Sequence, residues 1–271
     1  MKRLGWVGLI LILTLALLSG CAPKGSAANT TAPVGGDGSL DRVKKAGKLV
    51  IGIDDTFPPM EFRNDKNELV GFEVELDQEI GKRLGVKIEW QPTEWSTIIG
   101  ALQAKRFDMI LSGMTVTPER AKEVAFGTPY FNGAQVLAVR PGSTAKTPAD
   151  LKGKVVASQL GSSSAVSAAK WLNVKQEDLK LYNSFTEAFT DLSNSRVDGL
   201  VVDELTARYY LTQRPGAFTI LNEKLDPEPA AAAFRKDDAQ LRQEIDRIIA
   251  EIKTDGTWER ISMKWFGAVL K

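Results

Sequence analysis

The segment LVIGIDDTFPPMEFRNDKNELVGFEVELDQEIGKRLGVKIEW, residues 49–90, decides the fold of this chain. It opens with a continuous apolar run that two acids and two prolines terminate, which predicts a buried strand over residues 49–53. Apolar residues then recur on one helical face over residues 73–84, and Gly85 follows as a C-terminal stop. Residues 86–90 alternate between apolar and polar side chains, so a second, half-buried strand completes a βαβ unit.

The alternation of strands and helices continues on the C-terminal side of this unit. Residues 96–104 predict a helix and residues 107–111 a strand. A second set follows, with strands predicted at 136–139, 154–157 and 199–202 and helices at 163–172, 185–195 and 204–211. Two amphipathic helices come last, the first of which carries Leu241, Ile245, Ile248, Ile249 and Ile252. This rhythm predicts an α/β fold with mainly parallel sheets covered by helices.

The N-terminal residues predict export. Lys2 and Arg3 precede an apolar run over residues 4–18, which is shorter than the roughly twenty residues that a membrane-spanning helix needs. The sequence LSGC at residues 18–21 is typical of a bacterial lipobox. We therefore expect residues 1–20 to be a signal peptide, cleaved before Cys21, and Cys21 to carry a lipid. An uncleaved anchor helix with an incidental cysteine is the alternative, and either interpretation places the remaining chain outside the cytoplasmic membrane.

Residues 21–38 are small and polar and have nothing to bury, so we expect them to form a flexible tether behind the anchor. The 35 basic residues nearly balance the 34 acidic ones, which excludes the basic surface of a nucleic-acid-binding protein. The chain contains no histidine and one cysteine. These counts exclude Ser-His and Cys-His catalysis and leave no ordinary zinc site, and we expect neither a metal nor a cofactor.

Polar residues follow several predicted strands, which is where open α/β sheets bind ligands. After the first strand, Asp54 and Phe57 stand beside two prolines, and the segment is either a pocket wall or a solvated turn. Further along, Thr117 is a good N-cap, which puts Arg120 in the first helical turn, where a cation opposes the helix dipole. Arg120 and free N–H groups near Gly113 and Thr115 would hold a carboxylate. The alternative is a surface arginine paired with a neighbouring glutamate.

Two later segments complete the candidate site. The turn from Gln159 to Ser163 joins a strand to a helix, with Ser162 or Ser163 as its cap, and many ordinary connections look the same. Asp203 follows an apolar strand and either pairs with an ammonium group or caps the next helix. One cation, two N–H-rich turns, acids on the opposite wall and aromatic side chains at Phe57 and Trp95 together suit a zwitterionic amino acid.

Five runs closely resemble the amino-acid-binding proteins of polar amino-acid ABC transporters, of the glutamine-, histidine- and lysine/arginine-binding type. The resemblance covers nearly all of residues 40–268. The runs are GIDDTFPPMEF (52–62), LVGFEVELDQEIGKRLG (69–85), EWSTIIGALQAKRFDMILSGMTVTPERAKEVAFGTPYF (94–131), DLKGKVVASQLGSSS (150–164) and DGTWERISMKWFG (255–267). The resemblance implies a bilobal periplasmic-binding-protein fold, two α/β lobes joined by a two-strand hinge near residues 130–134 and 226–230. Lobe 1 would comprise residues 39–131 and 229–271, and lobe 2 residues 132–228.

The resemblance also implies a role for each site residue. Arg120 would bind the α-carboxylate, helped by Thr115 and the turn at Ser162–Ser163. Asp203 would accept from the α-ammonium together with the main chain at Gly113. The remaining residues would surround the ligand side chain: Phe57 and Trp95 on its faces, and Asp54, Ser112 and Gln159 at its far end.

The function implied is a non-enzymatic, monomeric, lipid-anchored binding protein that delivers an L-amino acid to the permease and ATPase of an ABC importer. The acids at Asp54, Asp55, Asp203 and Glu204 favour arginine or lysine, with glutamine next. One alternative is an enzyme on the same fold, such as a cyclohexadienyl dehydratase, although Thr206 stands where such relatives place a catalytic acid. Another alternative is a receptor module that reports an amino acid through a separate partner. A run of alanines, residues 230–233, replaces the Tyr-Gly step of many relatives and leaves the hinge geometry open.

The lipobox generates a first testable prediction. Replacing Cys21→Ser removes the thiol that would carry the lipid, and each buried CH₂ of such a lipid contributes about 0.8 kcal/mol to membrane attachment. We expect the variant to move from the membrane fraction to the aqueous fraction, or to keep its signal peptide, as detergent phase partition and intact-mass measurement would show. Unchanged partition together with unchanged processing would contradict the lipobox.

Overall fold

The computed structural model describes residues 36–270 of the 271-residue chain. The predicted signal peptide, Cys21 and all but the end of the predicted tether lie outside the described residues. Thirteen strands are described: β1 (Lys48–Ile53), β2 (Thr56–Phe57), β3 (Glu61–Arg63), β4 (Leu69–Val70), β5 (Lys87–Pro92), β6 (Met109–Ile110), β7 (Ala125–Phe126), β8 (Phe131–Val139), β9 (Val156–Gln159), β10 (Lys180–Tyr182), β11 (Gly199–Asp203), β12 (Thr219–Ala230) and β13 (Ala233–Phe234). The described helices are α1 (Ser39–Ala46), α2 (Phe72–Leu84), α3 (Ile98–Gln103), α4 (Pro118–Ala121), α5 (Ser163–Leu172), α6 (Phe185–Ser193), α7 (Glu204–Gln213), α8 (Ala239–Thr254) and α9 (Thr257–Phe266).

Two five-stranded sheets organise the described residues. The first has the order β5-β1-β6-β13-β7, and the second has the order β10-β9-β11-β8-β12. Three neighbouring strands in each sheet are parallel, and the two remaining strands add antiparallel pairings. A small antiparallel sheet, β2-β3-β4, follows β1. The α/β architecture in two lobes is confirmed, with mixed rather than mainly parallel sheets.

The antiparallel additions arise where the chain crosses between the two sheets. The first residues of β8 pair with the last residues of β12, from Phe131 opposite Ala230 to Ala134 opposite Pro227. Beyond that point the register shifts twice before β12 reaches Ile220, opposite Ala138. The apolar pattern predicted a strand at residues 136–139, and the resemblance implied a separate crossing strand near residues 130–134. Backbone hydrogen bonds to β12 nevertheless keep the whole nine-residue segment extended.

Other predicted bounds change for local reasons. The helix expected over residues 96–104 begins as a 3₁₀ turn, Trp95–Thr97, before α3. The strand expected over residues 107–111 is reduced to β6, because Ser112 and Gly113 leave the sheet toward the site. Helix α2 ends as predicted, with Gly85 in the left-handed conformation at φ 76° and its N–H bonded to the Gly81 carbonyl. None of the described helices is both long and apolar enough to cross a bilayer.

The largest core cluster includes the first sheet and its helices and extends to residues of the second sheet and of α6 and α7. Helix α8 contacts α1, α2 and α9, and its five predicted apolar residues are all buried. Ile248 has no exposed surface and belongs to the same cluster as Ile51 and Phe72. This packing forms a rigid base for the loops that follow β1 and β6.

Truncating this core has a predictable effect on stability. Ile248→Ala removes a fully buried side chain and leaves a cavity, so we expect the free energy of unfolding to fall by about 2–5 kcal/mol in a urea titration. Gln243→Ala, on the exposed face of the same helix, is the matched control and should change it by less than about 0.5 kcal/mol. A loss at Ile248 no larger than the control's would contradict the packing described for α8.

Candidate functional site

A small cavity lies between the ends of the two sheets. Its wall contains ten of the eleven residues that the sequence predicted to bind a ligand, together with Phe185. These residues are Asp54, Phe57, Trp95, Ser112, Gly113, Thr115, Gln159, Ser162, Ser163, Phe185 and Asp203. The eleventh, Arg120, contacts the wall through Trp95 and Thr115.

The topology explains why residues so distant in sequence meet. Asp54 follows β1, Ser112 follows the short β6, and Gln159 and Asp203 end β9 and β11. Parallel strands present their carboxyl ends at one edge of a sheet, so each sheet contributes one half of the wall. The two edges touch across the cavity, where Gln159 Nε2 donates a hydrogen bond of 2.7 Å to Asp54 Oδ2.

Arg120 is held by carbonyl groups rather than by an acid. Its guanidinium donates to the carbonyls of Thr115 at 3.0 Å and Gly161 at 3.2 Å, and it lies 5.3 Å from the centre of the Trp95 ring. Within residues 36–270 it forms no salt bridge, so the surface pair with a neighbouring glutamate is not formed. Its charge therefore remains available to an anion in the cavity.

Two parts of the sequence argument for Arg120 need correction. Helix α4 is a single turn, Pro118–Ala121, so the macrodipole that Arg120 was expected to oppose is small. The N-cap itself is present, because the Thr117 side chain accepts a hydrogen bond from the Arg120 N–H. The Gly113 N–H is not free for a ligand, because it donates to both carboxyl oxygens of Glu73, at 3.1 and 2.9 Å.

Behind Ser112 and Gly113 lies a buried group of acids that sequence reasoning missed. Ser112 Oγ donates to Glu61, and the Tyr130 hydroxyl donates to Glu73. Burial and the neighbouring carboxyl of Glu73 raise the pKa of Glu61 well above its ordinary value, and burial also raises the pKa of Glu73. Glu61 fixes the Ser112 hydroxyl, which itself accepts from the Asp54 N–H at 3.0 Å.

Asp203 stands on the opposite wall without a cationic partner. It occupies the N-cap position of α7, but its side chain makes no capping hydrogen bond. Burial and the nearby carboxyl of Glu228 raise the pKa of Asp203 well above its ordinary value, and the charge of Arg120 opposes that shift only in part. An ammonium group between Asp203 and the cavity would stabilise the ionised form.

Glu228 is the second residue that the sequence did not single out. It lies on β12, is 4% exposed, and accepts hydrogen bonds from Thr115 Oγ1 at 2.9 Å and Ser163 Oγ at 2.7 Å. The Thr115 and Ser163 hydroxyls are also 3.0 Å apart. The carboxylate thus joins the two halves of the wall from the crossing strand. Its only sequence signal was an acid between two prolines, within the predicted hinge.

The far end of the cavity is closed by Asp54 and Gln159. The Asp54 carboxylate accepts from the backbone and hydroxyl of Thr56 as well as from Gln159, and the Gln159 amide also donates to the Asn183 carbonyl at 2.9 Å. Burial raises the pKa of Asp54, and these hydrogen bonds oppose the shift. Asp54 and the Gln159 Oε1 atom are acceptors, so this end of the cavity selects for donors.

Aromatic side chains form the remaining wall. Phe57 lies 6.1 Å from Phe185 between ring centres, and Trp95 lines the same cavity under the Arg120 guanidinium. Phe185 was missed because it begins a helix, where an apolar residue is ordinary core. Among the described residues, no group of His, Cys, Asp and Glu is arranged to hold a metal ion. A cation, two acids and apolar faces around one cavity suit noncovalent capture of a small zwitterion.

Comparison with known proteins agrees with this geometry. The family model described as bacterial extracellular solute-binding proteins, family 3, matches residues 49–268. The L-cystine-binding protein TcyJ of Escherichia coli strain K12 is 34% identical over 273 residues, covering 99% of this chain and 98% of the relative. The ABC transporter arginine-binding protein 1 of the same strain is 32% identical over 227 residues, covering 82% and 91%. A solved ancestral arginine-binding protein bound to arginine has 41% identity and a TM-score of 0.76, covering 82% of this chain and 99% of that one.

The buried acid group generates a pH prediction. Because the pKa of Glu61 is raised in the folded protein, the fold holds a proton that the unfolded chain releases above its ordinary pKa of 4.5. The unfolding free energy contributed by Glu61 therefore falls as pH rises from 4.5 toward the folded pKa. Glu61→Gln keeps the shape of the side chain and lacks this titration.

We expect urea titrations between pH 4.5 and pH 8 to show the stability of the wild type falling relative to that of Glu61→Gln. Glu68→Gln, on the exposed turn between β3 and β4, controls for the loss of one negative charge. Profiles of wild type and Glu61→Gln that stay parallel throughout this range would contradict the raised pKa of Glu61.

Proposed function

This chain belongs to family 3 of the bacterial extracellular solute-binding proteins, and from that premise we propose that it captures a polar or basic L-amino acid and delivers it to an ABC importer. The observation that carries the proposal is the pair of unmatched charges on one cavity: Arg120 without an acid and Asp203 without a cation. A free amino acid brings a carboxylate and an ammonium group a few ångströms apart, and both charges are then matched at once.

The proposed orientation follows from these charges. The carboxylate faces Arg120, while the ammonium faces Asp203 and the carbonyl of Gly113. The Thr115 and Ser163 hydroxyls donate to the ligand carboxylate only if they leave their present hydrogen bonds to Glu228. The ligand side chain then runs between Phe57 and Trp95 toward Asp54. Both ends of the ligand exchange water for preorganised charges in a closed cavity, where such contacts are stronger than in bulk solvent.

The acceptors at the far end support arginine or lysine as the ligand. The cation of either side chain offers several N–H donors, which Asp54 and the Gln159 Oε1 atom can accept. Glutamine is next, because its amide donates to Asp54 and accepts from the Gln159 amide. These contacts require Gln159 to share or leave its present hydrogen bond with Asp54.

L-Cystine is a second candidate, favoured by the 34% identity to TcyJ over nearly the whole length of both chains. Its distal ammonium would face Asp54 as a basic side chain does. Cystine differs from arginine and lysine in size. It carries a second carboxylate, which the closed end of the cavity must also accommodate.

The chemistry of the site supports binding rather than catalysis. The relatives reported above are named as binding proteins, and no histidine is present anywhere in the chain. The position that a dehydratase would need for its catalytic acid is Thr206, which is fully buried. Delivery also needs a transport partner, which we propose to be a permease with its ATPase. The proposed binding protein is monomeric and carries a lipid on Cys21.

We further propose that ligand capture closes the two lobes, residues 39–131 with 229–271 and residues 132–228, about the crossing strands. Arg120, Trp95 and Phe57 would belong to the first lobe, and Gln159, Ser163 and Asp203 to the second. A ligand that contacts both lobes binds the closed form better than the open form, and this difference in affinity drives closure.

The charge on Arg120 provides the decisive test of the proposed function. A thermal-shift screen of the twenty amino acids and L-cystine identifies the tightest ligand, and calorimetry then measures Arg120→Ala. Removing one partner of a desolvated ion pair costs roughly 2–5 kcal/mol, so we expect affinity to fall by roughly thirtyfold to several thousandfold.

Arg120→Lys is the matched variant, and it should recover only part of the affinity because an ammonium cannot form the planar two-point contact. Affinity near that of the wild type in Arg120→Ala would remove Arg120 from the carboxylate site. Absence of any shift across the whole screen would contradict amino-acid capture itself.

Asp54 generates a prediction about selectivity. Asp54→Asn keeps the shape of the side chain and removes its charge, so the affinity for L-arginine should fall by roughly tenfold or more, and that for L-glutamine by much less. Calorimetry with both ligands on wild type and variant gives the comparison. Equal losses for arginine and glutamine would show that Asp54 does not contact the ligand side chain.

A further inference from the structure

One contact between the proposed lobes involves two aromatic residues outside the wall of the amino-acid cavity. Phe62 on β3, in the first lobe, lies 5.3 Å from Tyr209 on α7, in the second lobe, between ring centres. The two ring planes are tilted by 56°, which is a favourable arrangement for an aromatic pair. Neither residue lines the amino-acid cavity. The pair therefore joins the lobes at a distance from the proposed ligand.

Each ring is held in place from within its own lobe. Phe62 packs edge-on against Trp265 of α9, at 6.1 Å and 86°, and the indole N–H of Trp265 donates to Glu75 at 2.9 Å. Tyr209 packs edge-on against Tyr210, at 5.8 Å and 83°. Separation of the lobes would part Phe62 from Tyr209, while each ring would keep its other neighbours.

The pair lies at the surface rather than in a core. Phe62 and Tyr209 are both partly exposed, and an open groove that residues of both lobes line runs beside them. Because solvent already reaches this region, the two rings can separate without leaving a void in the core of either lobe. The contact is therefore suited to opening and closing.

Regular structure connects the pair to the cavity on both sides. Strand β3, which carries Phe62, pairs with β2, which carries Phe57 of the cavity wall. On the other side, Asp203 of the cavity wall directly precedes α7, the helix that carries Tyr209. A contact between the two rings therefore holds β2 and α7 in the relative position that completes the cavity wall.

We propose that Phe62 and Tyr209 form an aromatic latch that stabilises the closed arrangement of the two lobes independently of the ligand. The proposal rests on the proposed function, because the closed arrangement is the one that captures an amino acid. Apparent affinity depends on the fraction of free protein in the closed form, and an aromatic pair changes such an equilibrium constant roughly two- to tenfold. The latch thus strengthens the binding of every ligand by one common factor, whereas Asp54 acts on basic ligands in particular.

Calorimetry and small-angle scattering of the full chain test the latch. Tyr209→Ala removes one of the two rings. We expect the Kd of each ligand that the wild type binds, among L-arginine, L-lysine, L-glutamine and L-cystine, to rise by the same factor, roughly two- to tenfold. If the free wild type is already mostly closed, the loss is seen instead as a larger scattering radius before ligand is added.

Three further variants separate the latch from a general effect on the fold. Tyr209→Phe keeps the ring and should stay within about twofold of the wild type. Phe62→Ala combined with Tyr209→Ala should weaken binding little more than the stronger single substitution, because both remove the same contact. Trp171→Ala is the matched control and should change neither quantity, since this exposed ring contacts Lys170 and Asp226 of its own lobe.

Unchanged Kd values together with an unchanged radius in Tyr209→Ala would overturn the latch. Losses that differ among ligands, or that multiply in the double variant, would overturn it as well. The outcomes also distinguish the two proposals. Amino acids that bind wild type and Tyr209→Ala alike, with equal radii, would refute only the latch. A wild type that binds no amino acid would refute the proposed function, and the radii of the free proteins would then decide the latch: a larger radius in Tyr209→Ala supports it, and equal radii overturn it.

Discussion

The antiparallel pairing of β8 with β12 is the constraint on which the remaining structure depends. It sets Phe131–Ala134 against Pro227–Ala230, so the chain leaves the first sheet and returns to it within a few ångströms. Glu228 lies on the returning strand, and its carboxylate reaches Thr115 from one half of the wall and Ser163 from the other. The relative position of the two halves is therefore coupled to the backbone register at the crossing.

The described charged side chains around the cavity are not paired with one another, which lowers the stability of the folded protein. Arg120 is bonded to carbonyl oxygens, Asp203 makes no capping bond, and Asp203 and Glu228 repel each other. An arrangement optimised for stability alone would pair the cation with the acids directly. The structure instead leaves Arg120 and Asp203 without a salt bridge among the described residues, and an amino acid carries both opposite charges a short distance apart. Departures from local rules of this kind are expected where function outweighs stability.

Buried residues behind the cavity wall fix the positions of groups that line the cavity. Glu61, Glu73 and Tyr130 form a buried network that fixes the Ser112 hydroxyl and the Gly113 N–H, and both lie in the cavity wall. Burial raises the pKa of Glu61 and of Glu73 within this network. The loop after β6 is thus held rigidly although it contains no regular secondary structure.

The sequence by itself determined the elements and the chemistry that each one could offer. Periodic apolar residues predicted helices at α2 and α8, because local spacing controls secondary structure. The positions of Asp54, Arg120 and Asp203 after strands suggested a zwitterionic ligand, because side-chain type controls charge. Only the tertiary structure decided which groups remained free. Glu73 accepts a hydrogen bond from the Gly113 N–H, 40 residues away in sequence. Glu228 joins the two halves of the site by accepting from Thr115 and Ser163, which are 113 and 65 residues away. No local pattern encodes such contacts, since they depend on the order and register of strands far apart in the chain.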